Sequence, residues 1–257
     1  MKTKRIISLI IAIFFVFATF ASCYFIFSIK KMQCKVISDG EISSHLIQED
    51  LDEYLGKSIL FFDLENVENV IKNYPYFKLN SVYKKYPNII QIEIEQRKEV
   101  YHILHSDNLY YLLDQTGFVI DALTSVEFES SNLNTIELSY KNDESFALAI
   151  GKKVSVSQIQ LFNSVLEMTK SIDLTDCVYK IEVNAHSQFK DVVFFTRSGV
   201  KIEITSADIL GLQKLDVAMQ SYHNAKDYYK TFDTIKVFIL VDDNSIQCEW
   251  TSWNEGV

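Results

Sequence analysis

Three short stretches of this 257-residue chain carry residue types that could do chemistry. "GKS" at Gly56, Lys57 and Ser58 has the form of the end of a phosphate loop, where backbone N–H groups cradle an anion and a lysine meets its charge. That loop needs a glycine five positions earlier, and the chain has Leu51 there. The preceding residues read as helix rather than strand, so a helix C-terminus followed by a polar turn is expected. "DQTG" at Asp114–Gly117 is an aspartic-protease triplet with one residue inserted. Such chemistry needs two carboxylates sharing a proton, and the chain holds no second copy, so a hairpin turn is expected. "HILH" offers His102 and His105 as a metal pair. On a strand, residues three apart point to opposite faces, so the two imidazoles cannot share one ion unaided. Glu93 and Glu95 alternate with isoleucines and read as a solvated strand face. With no G-x-S-x-G elbow and no H-E-x-x-H helix, no catalytic residue, metal site, cofactor or small-molecule substrate is expected.

The elements that would position these residues fall into an anchor and two folded units. From Ile6 to Ile29 the chain carries no charge. As a helix at ~1.5 Å per residue this run would be about 36 Å long, enough to cross a ~30 Å hydrocarbon core. It is too long for a cleaved signal, and Ala18 and Ala21 are misspaced for cleavage. "FASC" ending at Cys23 could be a lipidation site, but Phe20 suits it poorly and apolar residues continue through Phe27. An uncleaved helix is expected, with residues 1–5 cytoplasmic and the bulk of the chain outside. Three basic residues lie on each side of it, so the positive-inside rule is nearly silent. The chain has 25 Lys and Arg against 34 Asp and Glu, a net charge of −9. The first 29 residues contribute only Lys2, Lys4 and Arg5, so the remainder is more acidic still. Such a surface repels polyanions and argues against nucleic acid as a partner. Cys23, Cys34, Cys177 and Cys248 form no CxxC pair. A Cys177–Cys248 bridge is left open, since pairing cannot be deduced from sequence.

Beyond a linker at 30–34, the first unit covers 35–103. A strand at Cys34–Ser38 precedes a helix capped by Ser43 or Ser44, with Ile47, Leu51 and Leu55 inward and Gly56 at its end. A second helix buries Leu64, Val67, Val70 and Ile71 and stops before Pro75. Strands Leu79–Lys85 and Ile89–Arg97 follow, joined by a turn at Pro87. The order is β-α-α-β-β. In "YPNIIQIEIEQRKEV", Ile90, Ile92 and Ile94 should face the helices, and Gln91, Glu93 and Glu95 solvent or a partner. The second unit covers 104–250 and is mostly strands: the "LYYLLDQTGFVID" hairpin, then Thr135–Ser139, Tyr179–Asn184, Val192–Arg197, Val200–Ile204, Ile235–Val241 and Ser245–Trp250. Two helices interrupt it, about Gln158–Lys170 with Ile159, Phe162, Val165 and Leu166 inward, and about Asp208–Asp227, capped by Thr205 or Ser206, with Ile209, Leu212, Leu215, Met219 and Tyr222 inward. A tail at 251–257 closes the chain. The expected class is α+β: one N-terminal transmembrane helix, a small β-α-α-β-β unit, and a mixed, mostly-β unit with two helices.

This pattern resembles the FtsQ/DivIB family of bitopic bacterial cell-division proteins. The resemblance rests on "LGKSILFFDLENVENVIKNYPYFKLNSVYKKYPNIIQIEIEQRKEV", on "YYLLDQTGFVI", and on "GVKIEITSADILGLQKLDVAM". Gly56, Phe61, Phe62, Asp63, Pro75, Val82 and Pro87 fall in the order and spacing of the family's POTRA domain. The following unit is similar to its β domain, though less specifically. Lys98 and Val100 stand where many members have proline and alanine, and Thr205 where a glycine usually begins the loop before the Lys-helix. The resemblance implies a non-enzymatic divisome scaffold in the cell membrane at the division septum. Its partners would be bitopic proteins resembling FtsL and FtsB/DivIC, and it would serve septal peptidoglycan synthesis. It also implies that a partner segment binds along the last strand. There Ile246, Cys248 and Trp250 would share one face and Gln247 and Glu249 the other, with main-chain groups free for β-augmentation. The alternative is a secreted or lipid-anchored envelope binding protein whose POTRA module is unrelated to division.

Overall fold

The computed structural model describes residues 2–37, 45–141, 147–154, 164–169, 174, 177–185, 190–224, 233–239 and 245–251. The chain divides into two compact units, Met1–Arg97 and Lys98–Val257. The elements are α+β and mostly strands.

The first unit opens with helix α1 (Lys2–Ile26). Its described side chains begin at Ile10, and from there to Ile26 they are exposed. Among the described residues no helix is long and apolar enough to cross a membrane. The helix was expected to run to Ile29 but ends at Ile26. Ile29 is instead buried, its N–H donating to the Lys57 carbonyl while its own carbonyl accepts from the Gly56 N–H. Backbone pairing with a loop thus replaces the last helical turn.

Strand β1 (Lys31–Val36), helices α2 (His45–Asp52) and α3 (Glu65–Lys72), and strands β2 (Phe77–Lys85) and β3 (Ile89–Gln96) complete the unit. The strand order is β1-β3-β2, with β1 parallel and β2 antiparallel to β3. A parallel pair needs a crossover, and α2 and α3 supply it. The alternation in β3 decides which face they cover. Ile90, Ile92 and Ile94 are fully buried with Ile47 and Leu51 of α2 and Val67, Val70 and Ile71 of α3. Leu55, expected in that core, is 41% exposed, because α2 ends at Asp52 and the turn after it packs Tyr54 against the core and carries Leu55 outward. The caps expected at Ser43 or Ser44 lie outside the described residues. The first strand starts at Lys31 rather than Cys34.

The second unit is one nine-stranded sheet. Its strands are β4 (Tyr101–Leu104), β5 (Tyr110–Leu113), β6 (Val119–Leu123), β7 (Ile136–Lys141), β8 (Val178–Ala185), β9 (Lys190–Thr196), β10 (Lys201–Ile204), β11 (Thr234–Ile239) and β12 (Ile246–Thr251). They lie in the order β12-β11-β10-β9-β8-β7-β4-β5-β6. Tyr101–Leu104, whose first three residues were expected in the first unit, pairs with β5 and β7.

Among the described residues three helical segments accompany this sheet, where two were expected: α4 (Ser125–Ser131), α5 (164–169) and α6 (Gly211–Asn224). Helix α4 starts at a complete capping box between Thr124 and Glu127. The beginning of the helix expected at Gln158–Lys170 lies outside the described residues. Gly211 opens α6 against Met168 of α5, and a Cβ there would come within 3.0 Å of the Met168 sulfur. The cap expected from Thr205 or Ser206 is not formed. Thr205 Oγ1 donates to the Val237 carbonyl, and Ser206 has φ +46°. Lys214, 1% exposed, binds this loop from within the helix, its Nζ donating to the carbonyls of Thr205 (2.6 Å) and Ser206 (3.0 Å). Two carbonyls solvate the buried ammonium, and burial still holds its pKa below the usual lysine value.

Candidate functional site

The three stretches with chemical potential are all taken up by structure. Gly56 has φ +82° and turns the chain after α2. Its N–H donates to Ile29, Ser58 bridges Ser28, and Lys57 Nζ lies 4.2 Å from the centre of the Tyr54 ring. The N–H groups of 56 and 57 meet carbonyls rather than forming an anion nest. Asp114 is a turn residue. Its Oδ1 accepts from Thr116 N (2.7 Å), Thr116 Oγ1 (2.7 Å) and Phe118 N (3.0 Å), and Gly117 takes φ +75°.

The two histidines go separate ways. His102 Nδ1 lies 2.9 Å from Thr135 Oγ1, its ring tilted against the stacked pair Phe128 and Tyr110. His105 Nδ1 lies 3.2 Å from Asp107. Burial lowers the His102 pKa, and the nearby Glu137 carboxylate offsets part of that. Among the described residues no group of three or more potential metal ligands converges. All four cysteines are free thiols, so Cys177 and Cys248 are not bridged. A cleft of about 360 Å³ beside α5 and the start of α6 is lined by Met168, Leu210 and Leu212 together with Glu167 and Asp208.

The remaining candidate is the sheet edge. Strand β12 is terminal in the sheet order and, among the described residues, pairs only with β11. The antiparallel register sets Ile246 against Ile239, Cys248 against Val237 and Trp250 against Ile235. Ile246, Cys248 and Trp250 pack against the core, while Gln247 and Glu249 are exposed. Helix α6 supports the inner face, where Trp250 Nε1 donates to Ser221 Oγ at 2.9 Å. Burial raises the Cys248 pKa, which keeps the thiol protonated and unreactive at neutral pH. Neighbouring strands share ion pairs across the solvated face, as in Lys236–Glu203 at 3.2 Å. Sequence reasoning placed the alternation of β12 but missed Ser221 and Lys214. The indole N–H of Trp250, which needs an acceptor once buried, was the available signal for Ser221. A lysine on the apolar side of an amphipathic helix was the signal for Lys214.

The alternation leaves every second N–H and C=O of β12 directed away from β11, without a ladder partner among the described residues. An extended segment laid alongside would gain main-chain hydrogen bonds from that row, and Gln247 and Glu249 would contribute selectivity from the exposed face.

The class so defined is a two-unit α+β protein whose last strand, among the described residues, pairs on one side only. No family model matches the chain. It is similar to the cell division protein DivIB of Clostridium tetani, 26% identical over 40% of this chain and 49% of that relative. It is also similar to DivIB of Clostridium acetobutylicum, 29% identical over 38% of this chain and 37% of that relative. The matched segments span less than half of either relative's length. The chain is related to the DivIB/FtsQ family, in agreement with the resemblance read from its motifs.

Proposed function

We propose that this chain is a non-enzymatic scaffold of the cell-division machinery, anchored by α1 and binding a bitopic partner along β12. The observation that carries the reading is the terminal position of β12, which among the described strands pairs only with β11, in a chain related to DivIB. The first unit serves as a POTRA-like domain, and the second, from Lys98 on, as the family's β domain. Partners resembling FtsL and FtsB/DivIC supply an extended segment, and the assembly serves septal peptidoglycan synthesis.

The anchor reading draws on the whole of α1. It has 25 residues, about 37 Å at ~1.5 Å per residue, and from Ile6 onward it carries no charge. Its N-terminus then lies in the cytoplasm and both folded units outside, at the septum.

The test is co-purification of the full-length protein with candidate bitopic partners. Adjacent N–H groups on a strand point to opposite sides, so one of Ile246→Pro and Gln247→Pro removes an outward donor and the other a ladder donor. The expected result is that the outward variant lowers partner capture at least about tenfold, about 1.4 kcal/mol, with its melting temperature nearly unchanged. Retained capture in both variants removes the edge from consideration. In cells, depletion should give filaments or chains and the protein should gather at midcell. Normal division with a uniform envelope distribution contradicts the scaffold.

The second reading, a lipid-anchored envelope protein, draws on the exposed thiol of Cys23. Mass spectrometry separates the two. A diacylated Cys23 at a new N-terminus supports the lipoprotein, and an intact Met1 segment supports the anchor.

A further inference from the structure

Residues 55–61 do more than end α2. They run antiparallel to the chain leaving α1: the Ile29 N–H donates to the Lys57 carbonyl, and the Ile59 N–H donates to the Phe27 carbonyl. Ser28 and Ser58 form the bridge between them. Tyr24 Oη also donates to the Gly56 carbonyl at 3.3 Å. In an antiparallel pair each step forward on one chain is a step back on the other. Residue 59 lies beside 27, so the loop continues toward the level of Phe25, in the last turn of α1. It does so with Leu60 exposed and Phe61 89% exposed. Both neighbours in the sequence, Ile59 and Phe62, are buried in the core. The loop is therefore held by its flanks while it presents two large apolar side chains.

The same end of the three-stranded sheet collects aromatic and basic groups. The Lys30 N–H donates to the Asn88 carbonyl, which brings the β2–β3 turn, with exposed Tyr86, to the exit from α1. Lys31 pairs with Ile89, and Lys85 with Ile89 from the other side. Lys84 Nζ donates to the Leu60 carbonyl at 3.3 Å. Glu93 and Glu95 occupy the other half of β3, beside Ser81 and Lys78. Large apolar residues, a tyrosine and several lysines form the composition that sits at a bilayer interface. There aromatic rings rest at headgroup level and lysine stems lie along apolar surface with their charge in water.

We propose that the Leu60–Phe61 loop inserts into the headgroup–acyl boundary of the same bilayer that α1 crosses. Tyr86 and Lys30, Lys31, Lys57, Lys84 and Lys85 face the headgroups, so the first unit is docked on the lipid surface rather than tethered above it. This rests on the reading of α1 as a membrane anchor. The occupant is lipid because the loop is hydrogen-bonded to the exit of an apolar helix whose described side chains are exposed, and because the cations cluster at that end of the sheet.

The test uses the full chain in vesicles of phosphatidylcholine and phosphatidylglycerol with brominated acyl chains, which quench tryptophan on contact. Three variants are compared, each after subtraction of the unsubstituted protein's emission: Phe17→Trp within α1, Phe61→Trp in the loop, and Ile37→Trp just past the far end of β1. The expected result is strong quenching of the first, clear quenching with a blue shift for the second, and none for the third. Replacing Leu60 and Phe61 together by aspartate should leave the circular dichroism spectrum unchanged and abolish quenching of a tryptophan placed at Tyr86. If Phe17→Trp is quenched and Phe61→Trp is not, the anchor stands and the docking is wrong. If Phe17→Trp is itself unquenched, both fall.

Discussion

The two edges of the nine-stranded sheet are built differently. At β6 the chain covers the start of its own exposed row. The Val119 N–H donates to the Lys152 carbonyl, the Gly151 N–H donates to the Val119 carbonyl, and the Val154 N–H donates to the Gly117 carbonyl. The strand is short, and α4 follows it immediately from a capping box. At β12 nothing among the described residues takes the outer row. Open edges invite unwanted pairing, and folded proteins usually blunt them. Among the described residues the sheet covers the start of one edge and pairs no second strand with the other, so an open edge is not imposed by the fold. On the proposed reading, the β12 edge is where a partner has something to gain.

Variants can break this contrast from either side, and the largest effect should come from the covered edge. Asp114→Ala removes three hydrogen bonds accepted in the β5–β6 turn. It should cost about 2–3 kcal/mol, given the penalty for buried donors left unmet, and urea unfolding would measure it. Partner capture through β12 should persist wherever the protein stays folded. Trp250→Phe loses the bond to Ser221 on the inner face of β12, at about 1 kcal/mol. Because the outer row of main-chain groups is kept, affinity for a partner should change little, as titration calorimetry would show. Thr124→Ala breaks the cap that seats α4 beside β6. It should cost about 1 kcal/mol, seen as a lower melting temperature, and should leave partner binding alone.

The smallest effect is a pH slope. His102 is packed by Phe128 and Tyr110, with Thr135 at its Nδ1 and Glu137 nearby. Burial puts its folded pKa below the unfolded value of about 6.5. Above that pH the imidazole is neutral in both states and adds no pH dependence. As pH falls below about 6.5 the unfolded chain takes up the proton first, so stability is lost until the folded pKa is reached. His102→Gln should flatten that segment of a stability-against-pH curve.

Much of this arrangement was legible in the sequence where burial and periodicity agree. Ile90, Ile92 and Ile94 alternate with polar residues, and the structure buries all three. Asp114 and Gly117 announced the hairpin through turn chemistry alone. The exposure of β12 was not legible, because an alternating strand reads the same at an edge as in the middle of a sheet. Nor was α4 found by its pattern, since it has no buried residue. Its only mark was Thr124 followed three residues later by Glu127, a capping box. The start of α6 was misread for a related reason. The apolar positions Ile209 and Leu212 suggested a buried face, yet both are exposed, and Lys214 is the residue that goes inside. A lysine is placed inward only when carbonyls are there to receive it, and those carbonyls belong to a loop whose shape the sequence does not display.

The central claim is that the bare edge, and not the covered one, receives a partner strand. Amide hydrogen exchange of the full-length protein, alone and with a bitopic partner that co-purifies with it, tests this most directly. The expected result is new protection across Ile246–Thr251, with no change across Val119–Leu123. Protection gained at β6, or a bound partner that leaves β12 exchanging as in the free protein, would contradict it.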